Sequence, residues 1–324
     1  MTSISAPTSD VKALCALTGW QTVVVADKKT PADWSWPGCH FLSLAQQEAC
    51  YPDFRLPYNS YTRKNFGHLF AIEHGARTIY STDDDNAPRS TPAFVDVAWG
   101  LKSTALAANP YAVFGRGDLW ARGYVLDWLN ESTTVAAGPM PRVGVQQGLA
   151  DMDPDLDAIG RLTHRHELGK IYFAPESVAV AVPLGLLAPF NSQATLWTHD
   201  AFWGLYLPTS VSFRYCDIIR GYWAQRILWE LRLGLVFTGP TVDQVRNPHD
   251  LVADLHDEEQ MYRDGAALVS FLSQWRSQRE QTDLARIIVD LSDAMVAGGL
   301  WAEEIRPWLA ALDKAGYRMP DLVK

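Results

Sequence analysis

Cysteine is scarce in this sequence, and its spacing rules out two kinds of protein. Cys15, Cys39, Cys50 and Cys216 are scattered along 324 residues without a CxxC pair. Neither a zinc site nor a disulfide framework is built that way, and a reducing, cytoplasmic setting fits. Long apolar runs are missing as well. The longest, Val178 to Phe190, is too short to cross a bilayer and is broken by Pro183 and Pro189, so no transmembrane segment is expected. The first residues carry no basic region ahead of an apolar stretch, so no signal peptide is expected. Positive charge is in deficit, with 28 Lys and Arg against 37 Asp and Glu, a net charge of −9. That balance argues against broad nucleic-acid binding and against anionic membrane surfaces. Internal repeats and low-complexity segments are absent.

What is present is enough apolar residue (48%) for a full core, in a length that suits one large domain or two ordinary ones. Tryptophan is abundant, at 13 residues. Such rings fill cores, and their faces also stack on sugars and bases. The stretch that organises the chain is Arg77 to Pro88, RTIYSTDDDNAP. Thr78 to Thr82 has the apolar, β-branched character of a buried strand. Asp83, Asp84 and Asp85 follow directly, and Asn86 and Pro88 mark a turn. Three adjacent carboxylates repel one another. A divalent cation with oxygen ligands relieves that repulsion, and a solvated acidic turn is the plain alternative. Just upstream, Tyr61 to Gly75 reads as a helix with Phe66, Leu69 and Phe70 on one face and Gly75 at its stop. Arg63, Lys64 and Asn65 at its start put basic groups beside the acidic run, where they can hold a diphosphate.

Trp20 to Ala26 is a strand candidate, and Asp27 to Pro31 a loop at its carboxyl end. Ligands of open α/β sheets sit there, so Asp27 and Thr30 are placed to meet one. Cys39 to Leu42 reads as a second strand and Ser43 to Cys50 as a helix capped by Ser43. This alternation is that of a parallel sheet. Further on, Tyr111 to Phe114 reads as a strand. Asp151, Asp153, Asp155 and Asp157 alternate, but the glycine and glutamate of an EF-hand loop are missing at the required offsets. Arg161, His164, Arg165 and His166 read as a solvated polar loop. Asp217 precedes an amphipathic helix with Ile219, Trp223, Ile227 and Leu231 at four-residue steps. Leu235 to Thr238 and Thr241 to Val245 read as two strands separated by a Gly239-Pro240 turn. From Leu251 on the pattern is helical.

These pieces resemble a known family. VVVADKKTPADW (23–34), CHFLSLAQQ (39–47) and LPYNSYTRKNFGHLFAIEHGARTIYSTDDDNAP (56–88) resemble the STELLO-type glycosyltransferases. Their order is also similar to that of the reversibly glycosylated polypeptides, which are UDP-arabinopyranose mutases, and more widely to nucleotide-sugar enzymes of the GT-A fold. NPYAVFGRGDLWARGY (109–124), VGVQQGLADMDPDLDA (143–158), PLGLLAPFNSQATLW (183–197) and SFRYCDIIRGYWAQRILWE (212–230) have counterparts there too. The resemblance implies roles. Val25, Ala26 and Asp27 would face base and ribose, and Arg63 and Lys64 the base or diphosphate. Asp83 and Asp85 would be the outer residues of a DxD motif binding Mn2+ or Mg2+, with Asp84 on the nucleotide side. Asp217 would be a base or would orient the acceptor, although aspartate there is also an ordinary helix cap. Arg220 would share its pocket, and His249, backed by Asp250, would complete the metal shell. One departure concerns the mutases. Where they carry the arginine that becomes glycosylated, a few residues after an RGY-like segment, this sequence has Leu129.

The expected fold is α/β, a GT-A-like (Rossmann-type) mixed, mostly parallel sheet flanked by helices. Residues 1–250 would form the nucleotide-sugar-binding catalytic domain and 251–324 a helical extension that positions an acceptor or makes a homo-oligomer. The expected function is metal-dependent transfer of a sugar from a nucleotide-diphosphate donor, with UDP-sugar favoured, to a glycan or other hydroxyl acceptor. A pyranose–furanose mutase and a non-catalytic nucleotide-sugar binder are the alternatives.

Overall fold

The computed structural model describes residues 1–138, 140–174, 178–277 and 283–323. In chain order its elements are α1 (Ser9–Cys15), β1 (Thr22–Val25), β2 (Cys39–Leu42), α2 (Leu44–Cys50), α3 (Lys64–Glu73), β3 (Thr78–Ser81), β4 (Asn86–Pro88), β5 (Trp99–Ser103), β6 (Thr133–Ala137) and β7 (Arg142–Met152). They continue with α4 (Ala158–Thr163), β8 (Val180–Ala181), β9 (Thr195–Thr198), α5 (Cys216–Leu228), β10 (Leu233–Gln244), α6 (Leu251–Asp257), α7 (Glu259–Gln274), α8 (Leu284–Ala297) and α9 (Ile305–Lys314).

The architecture is mixed α/β with a helical C-terminal part, as expected. Among the described residues a main sheet runs in the order β3-β9-β7-β10-β8-β5-β6, and β4 pairs with β10 off that path. Its centre is the long pair β7 and β10, which run parallel. β5 and β8 are parallel too, whereas β9 is antiparallel to both β3 and β7, and β8 and β4 are antiparallel to β10. β1 and β2 form a separate parallel pair. β3 therefore joins the main sheet through β9 rather than extending the β1–β2 ladder.

The sequence-level elements fall where local chemistry is strong. α2 starts at Ser43, whose hydroxyl accepts from Gln46 N–H while the Gln46 side chain caps Ser43 N–H. Gly75, just past α3, takes φ +77°, the left-handed conformation that favours glycine at a helix stop. Three readings change. Residues 110–114 form a 3₁₀ turn, not a strand, because Asn109 caps it and Pro110 sits at its first position. β10 is one strand across Gly239-Pro240, with register shifts around Thr238 and Pro240 that accommodate the proline as a bulge. α5 has no solvent face: all of its residues are buried, between the sheet and α7. Its polar members are satisfied internally. Gln225, for example, bonds the Ala188 backbone at both ends.

One apolar core includes Val145 and Leu235 of the sheet, Trp203 and Trp223, and Leu268, Leu291 and Trp308 of the C-terminal helices. No helix among the described residues is long and apolar enough to cross a membrane.

Candidate active site

A cavity of about 180 Å³ opens where β3 and β10 end and α5 begins. Asp83, Asp84 and Asp85 line it from the β3–β4 turn, Gln244 and Arg246 from the end of β10, and Arg214 and Asp217 from the approach to α5. Tyr61, Arg122, Asp155, Asn191, Gln193 and His249 complete its walls. Asp83, Asp84, Asp85, Asp217 and His249, picked out from distant parts of the sequence, thus share one cleft.

The acidic turn is only partly neutralised. Asp83 accepts from Lys64 Nζ (2.6 Å) and Tyr61 Oη (2.9 Å). Lys64 itself is buried and also reaches the Ser192 carbonyl. Asp85 accepts only from neutral amides, Asn86 Nδ2 at 3.0 Å and Gln244 Nε2 at 3.1 Å. Burial, with Asp83 as the next cause, pushes the Asp85 carboxyl up to about 6. Burial pushes Asp84 up as well.

Opposite them lies an ion lattice built on Arg122. Its Nη1 and Nη2 donate to the two carboxylate oxygens of Asp217, each at 3.1 Å, and its Nε donates to Asp155 at 2.9 Å. It also donates to the Arg214 carbonyl. Asp155 further accepts from Arg246 Nη2 and Asn191 Nδ2, both at 2.7 Å. Burial opposes ionisation of Asp155, but Arg122 and then Arg246 outweigh it and hold the carboxyl well below the usual carboxylate range. Burial likewise works against the Arg122 charge, yet Asp155 and Asp217 hold it well above its ordinary value, so it stays protonated. Gly123 fixes the approach of this arginine. It adopts φ +91°, and a Cβ there would lie 2.3 Å from Ile218. Arg214 is anchored in turn by Glu258, at the joint of α6 and α7, at 2.6 Å. Glu258 is fully buried and also accepts from Ala158 N and Tyr262 Oη.

Val25, Ala26, Asp27, Thr30, Arg63 and Arg220, also named from the sequence, do not line the cleft. Asp27 is buried and its carboxylate accepts three backbone N–H groups, those of Lys28, Asn59 and Ser60. It thereby fixes the turn that delivers Tyr61 and Lys64 to the cleft. Thr30 bonds the Ser3 carbonyl and Asp27 N. Val25 pairs with Met1 and Ser3, and Ala26 with Leu42. Arg63 is directed to Gln47 (2.5 Å) and the carbonyls of Leu56 and Pro57. Arg220 is fully buried, stacked on Phe190 and Trp197 and donating to Ser192 Oγ at 2.5 Å. It shapes the 191–193 loop from behind. His249 turns Nδ1 to Asp254 at 3.1 Å. Among the described residues no three His, Cys, Asp or Glu side chains converge as a ready ligand set. The cleft still fits a hard cation. Asp84 and Asp85 carry raised carboxyls, and Gln244 Oε1, which is buried beside Asp85, has no hydrogen-bond partner.

Sequence patterns do not single out Arg122, Asn191, Gln193, Arg214, Gln244 or Arg246 as cleft residues, and Asp155 shows only within a spacing that fails as an EF-hand loop. The alternation of Asp151 to Asp157 was the one local sign of Asp155. Its pairing with Arg122 and Arg246 spans 33 and 91 residues and leaves no spacing to read.

A pH test follows from Asp85. Its folded carboxyl is raised, so the stabilising contribution is complete below its unfolded value and is lost as pH rises through about 6. Asp85→Asn is expected to raise the melting temperature at pH 8 in the absence of divalent cations, by at most about 3 kcal/mol of stability. The gain should fade toward pH 4, as differential scanning calorimetry at the two pH values will report.

Comparison with known proteins agrees with the early resemblance. The family model described as STELLO glycosyltransferases matches residues 214–324, which include Arg214, Asp217 and Glu258. Two curated Arabidopsis thaliana proteins, named "Probable glycosyltransferase STELLO1" and "Probable glycosyltransferase STELLO2", are each 35% identical to this chain. The alignments cover 98% of the chain but 44% of each relative, so the chain spans less than half the length of the relatives it matches.

Proposed function

We propose, from the match to the model of STELLO glycosyltransferases over residues 214–324 and the 35% identity to the two relatives, that the acidic cleft transfers a sugar from a nucleotide-diphosphate donor to an acceptor hydroxyl. The observation that carries this reading is the meeting of Asp83–Asp85 with Asp217 and three arginines, Arg122, Arg214 and Arg246, in one cavity. Donor and acceptor chemistry need opposite things, cationic groups for the diphosphate and a carboxylate for the hydroxyl, and both lie within this small space. Arg246 has a buried Nε without a partner, which suits a phosphate oxygen. Asp217 is oriented by Arg122 and by Ser192 N–H (3.2 Å), which leaves it fixed to receive or orient an acceptor hydroxyl. Asp83 and Asp85, with Gln244 Oε1, would hold Mn2+ or Mg2+. When bound, such a cation neutralises charge developing on a leaving diphosphate. A UDP-sugar is the donor to try first.

The mutase alternative has less support. Leu129 lies outside the cleft and is exposed. Arg122 does reach the cleft, but its guanidinium is held protonated between two carboxylates, so it has no free lone pair with which to attack an anomeric carbon.

Incubation with a panel of UDP-, GDP- and CMP-sugars tests the proposal. Slow hydrolysis alone, rising to turnover when an acceptor glycan is added, is expected. A stable sugar adduct by intact-mass spectrometry, or conversion of a UDP-sugar to its ring isomer, would overturn it. For the metal, calorimetry of UDP binding to Asp83→Ala and Asp85→Ala is expected to show at least a tenfold loss of the manganese-dependent affinity. Unchanged metal dependence in both variants would remove these residues from the metal site.

A further inference from the structure

The cysteines are scattered in sequence, but the fold brings two of them together. The parallel register sets Thr22 of β1 beside Cys39 of β2 and Val24 beside Phe41, so these four residues share one face of the strand pair. α1 lies on that face. Its Val11 and Cys15, four residues apart and so on one side of the helix, join Val24, Trp34, Cys39 and Phe41 in a small apolar cluster apart from the main core. Two contacts fix the end of α1 beside Cys39. Thr22 Oγ1 donates to the Leu14 carbonyl at 3.1 Å. Gly38, at φ +84°, brings the backbone ahead of β2 so close that a Cβ there would lie 3.3 Å from the Cys15 carbonyl oxygen. Each thiol has the other as a hydrogen-bond partner. Both are half-buried, whereas Cys50 is exposed and Cys216 buried.

We propose that Cys15 and Cys39 are a site of disulfide formation, and that the bond staples α1 to the β1–β2 pair. The oxidant is a low-molecular-weight disulfide such as oxidised glutathione. One cysteine thiolate attacks a glutathione sulfur, expels one glutathione thiolate and leaves a mixed disulfide. The second thiolate attacks the protein sulfur of that bond and expels the other glutathione. Two protein S–H bonds are given up, one S–S bond forms, and the two protons and two electrons leave as two glutathione thiols. Burial raises both thiols, Cys39 to about 11. Thiols of that kind attack slowly and, once bonded, are poor leaving groups, so the bond resists reduction and suits a staple better than a switch. α1 has use for one. At 7 residues it is too short to hold its shape alone. Its cap, Thr8, donates to the Asp84 carbonyl at 3.1 Å. A bond at Cys15 thus fastens one end of the helix whose other end holds the acidic turn. It also closes a loop of about 25 residues and so restrains the unfolded chain.

Treatment of the intact, folded chain with oxidised glutathione at about pH 8.5, where more of each thiol is ionised, tests this. Lys28 and Lys29 lie between the two cysteines, so trypsin separates their peptides unless the sulfurs are joined. After the remaining thiols are alkylated, mass spectrometry is expected to find the Cys15 and Cys39 peptides linked, with Cys216 alkylated and Cys50 carrying at most a glutathione. The oxidised protein should melt about 3–6 °C above the reduced one. Cys15→Ser and Cys39→Ser should each lose that rise, while their reduced forms melt within about 2 °C of the reduced wild type. Separate glutathione or alkyl adducts on Cys15 and Cys39 of the folded wild type would overturn the proposal. So would a link that leaves the melting temperature unchanged or lower, since the fold would then have to deform to make it.

Discussion

Arg122→Met is expected to destabilise the protein by about 3–5 kcal/mol, because it leaves two buried carboxylates short of their shared cation. Asp155 would keep Arg246 and Asn191, and Asp217 only the Ser192 N–H. Methionine matches much of the arginine stem, so loss of packing is a minor part of the effect. The sign with pH separates charge from packing. In the wild type, Asp155 has a depressed carboxyl, so its contribution is present above its unfolded value and is lost only in strong acid. In the variant that depression weakens, and protonation becomes the easier way to bury the carboxylates. The deficit against wild type should therefore be large at pH 8 and shrink toward pH 4, in urea denaturation followed at both values. An equal deficit at both would mean that Arg122 acts through packing alone. Lysine at this position is not expected to rescue, since a point charge cannot bond both oxygens of Asp217 and reach Asp155 as the planar fork does.

Asp217→Asn is expected to keep donor affinity within about threefold while turnover falls by about a hundred- to ten-thousand-fold, the usual contribution of a positioned base. The substitution is nearly isosteric, but it turns an amide N–H or a weaker acceptor toward the Arg122 fork. A modest fall in melting temperature should accompany it, and Arg122 remains compensated by Asp155. Steady-state kinetics against calorimetric donor binding will resolve the cases. If the leaving diphosphate takes the proton, as in a retaining reaction, the acceptor KM rises and kcat falls far less. Loss of donor binding together with turnover would reduce Asp217 to a structural cap.

The acidic turn was legible because its three carboxylates are adjacent, and Asp217 because a specific block of sequence surrounds it. Elements with strong local signals, the Ser43–Gln46 capping box and the glycine stop of α3, were legible for the same reason. Side-chain direction was not. Asp27 and Arg63 stand where ligand-binding groups stand in α/β proteins, at a strand's carboxyl end and a helix start. Their side chains instead satisfy the backbone of residues 56–60 and Gln47. Arg220 is a neighbour of Asp217 on the same side of α5, but it lies beneath the cleft, stacked on Phe190 and Trp197 and donating to Ser192 Oγ. The burial of α5 on every side was hidden by the polar residues that internal partners satisfy. What decides each case is a partner far along the chain, and a pattern of spacing does not record it.

Glu258 has a consequence for how this chain can be divided. Its carboxylate, at the joint of α6 and α7, holds Arg214, whose carbonyl holds Arg122 in turn. The apolar residues of α7, α8 and α9 belong to the same core as β7 and β10. The C-terminal helices are thus no interchangeable module. A version of this protein cut at residue 250 would lose the carboxylate that keeps Arg214 in the cleft and expose one side of α5 to water. Heat should accordingly melt cleft and helices in one cooperative transition, with nucleotide binding and helical content lost at the same temperature.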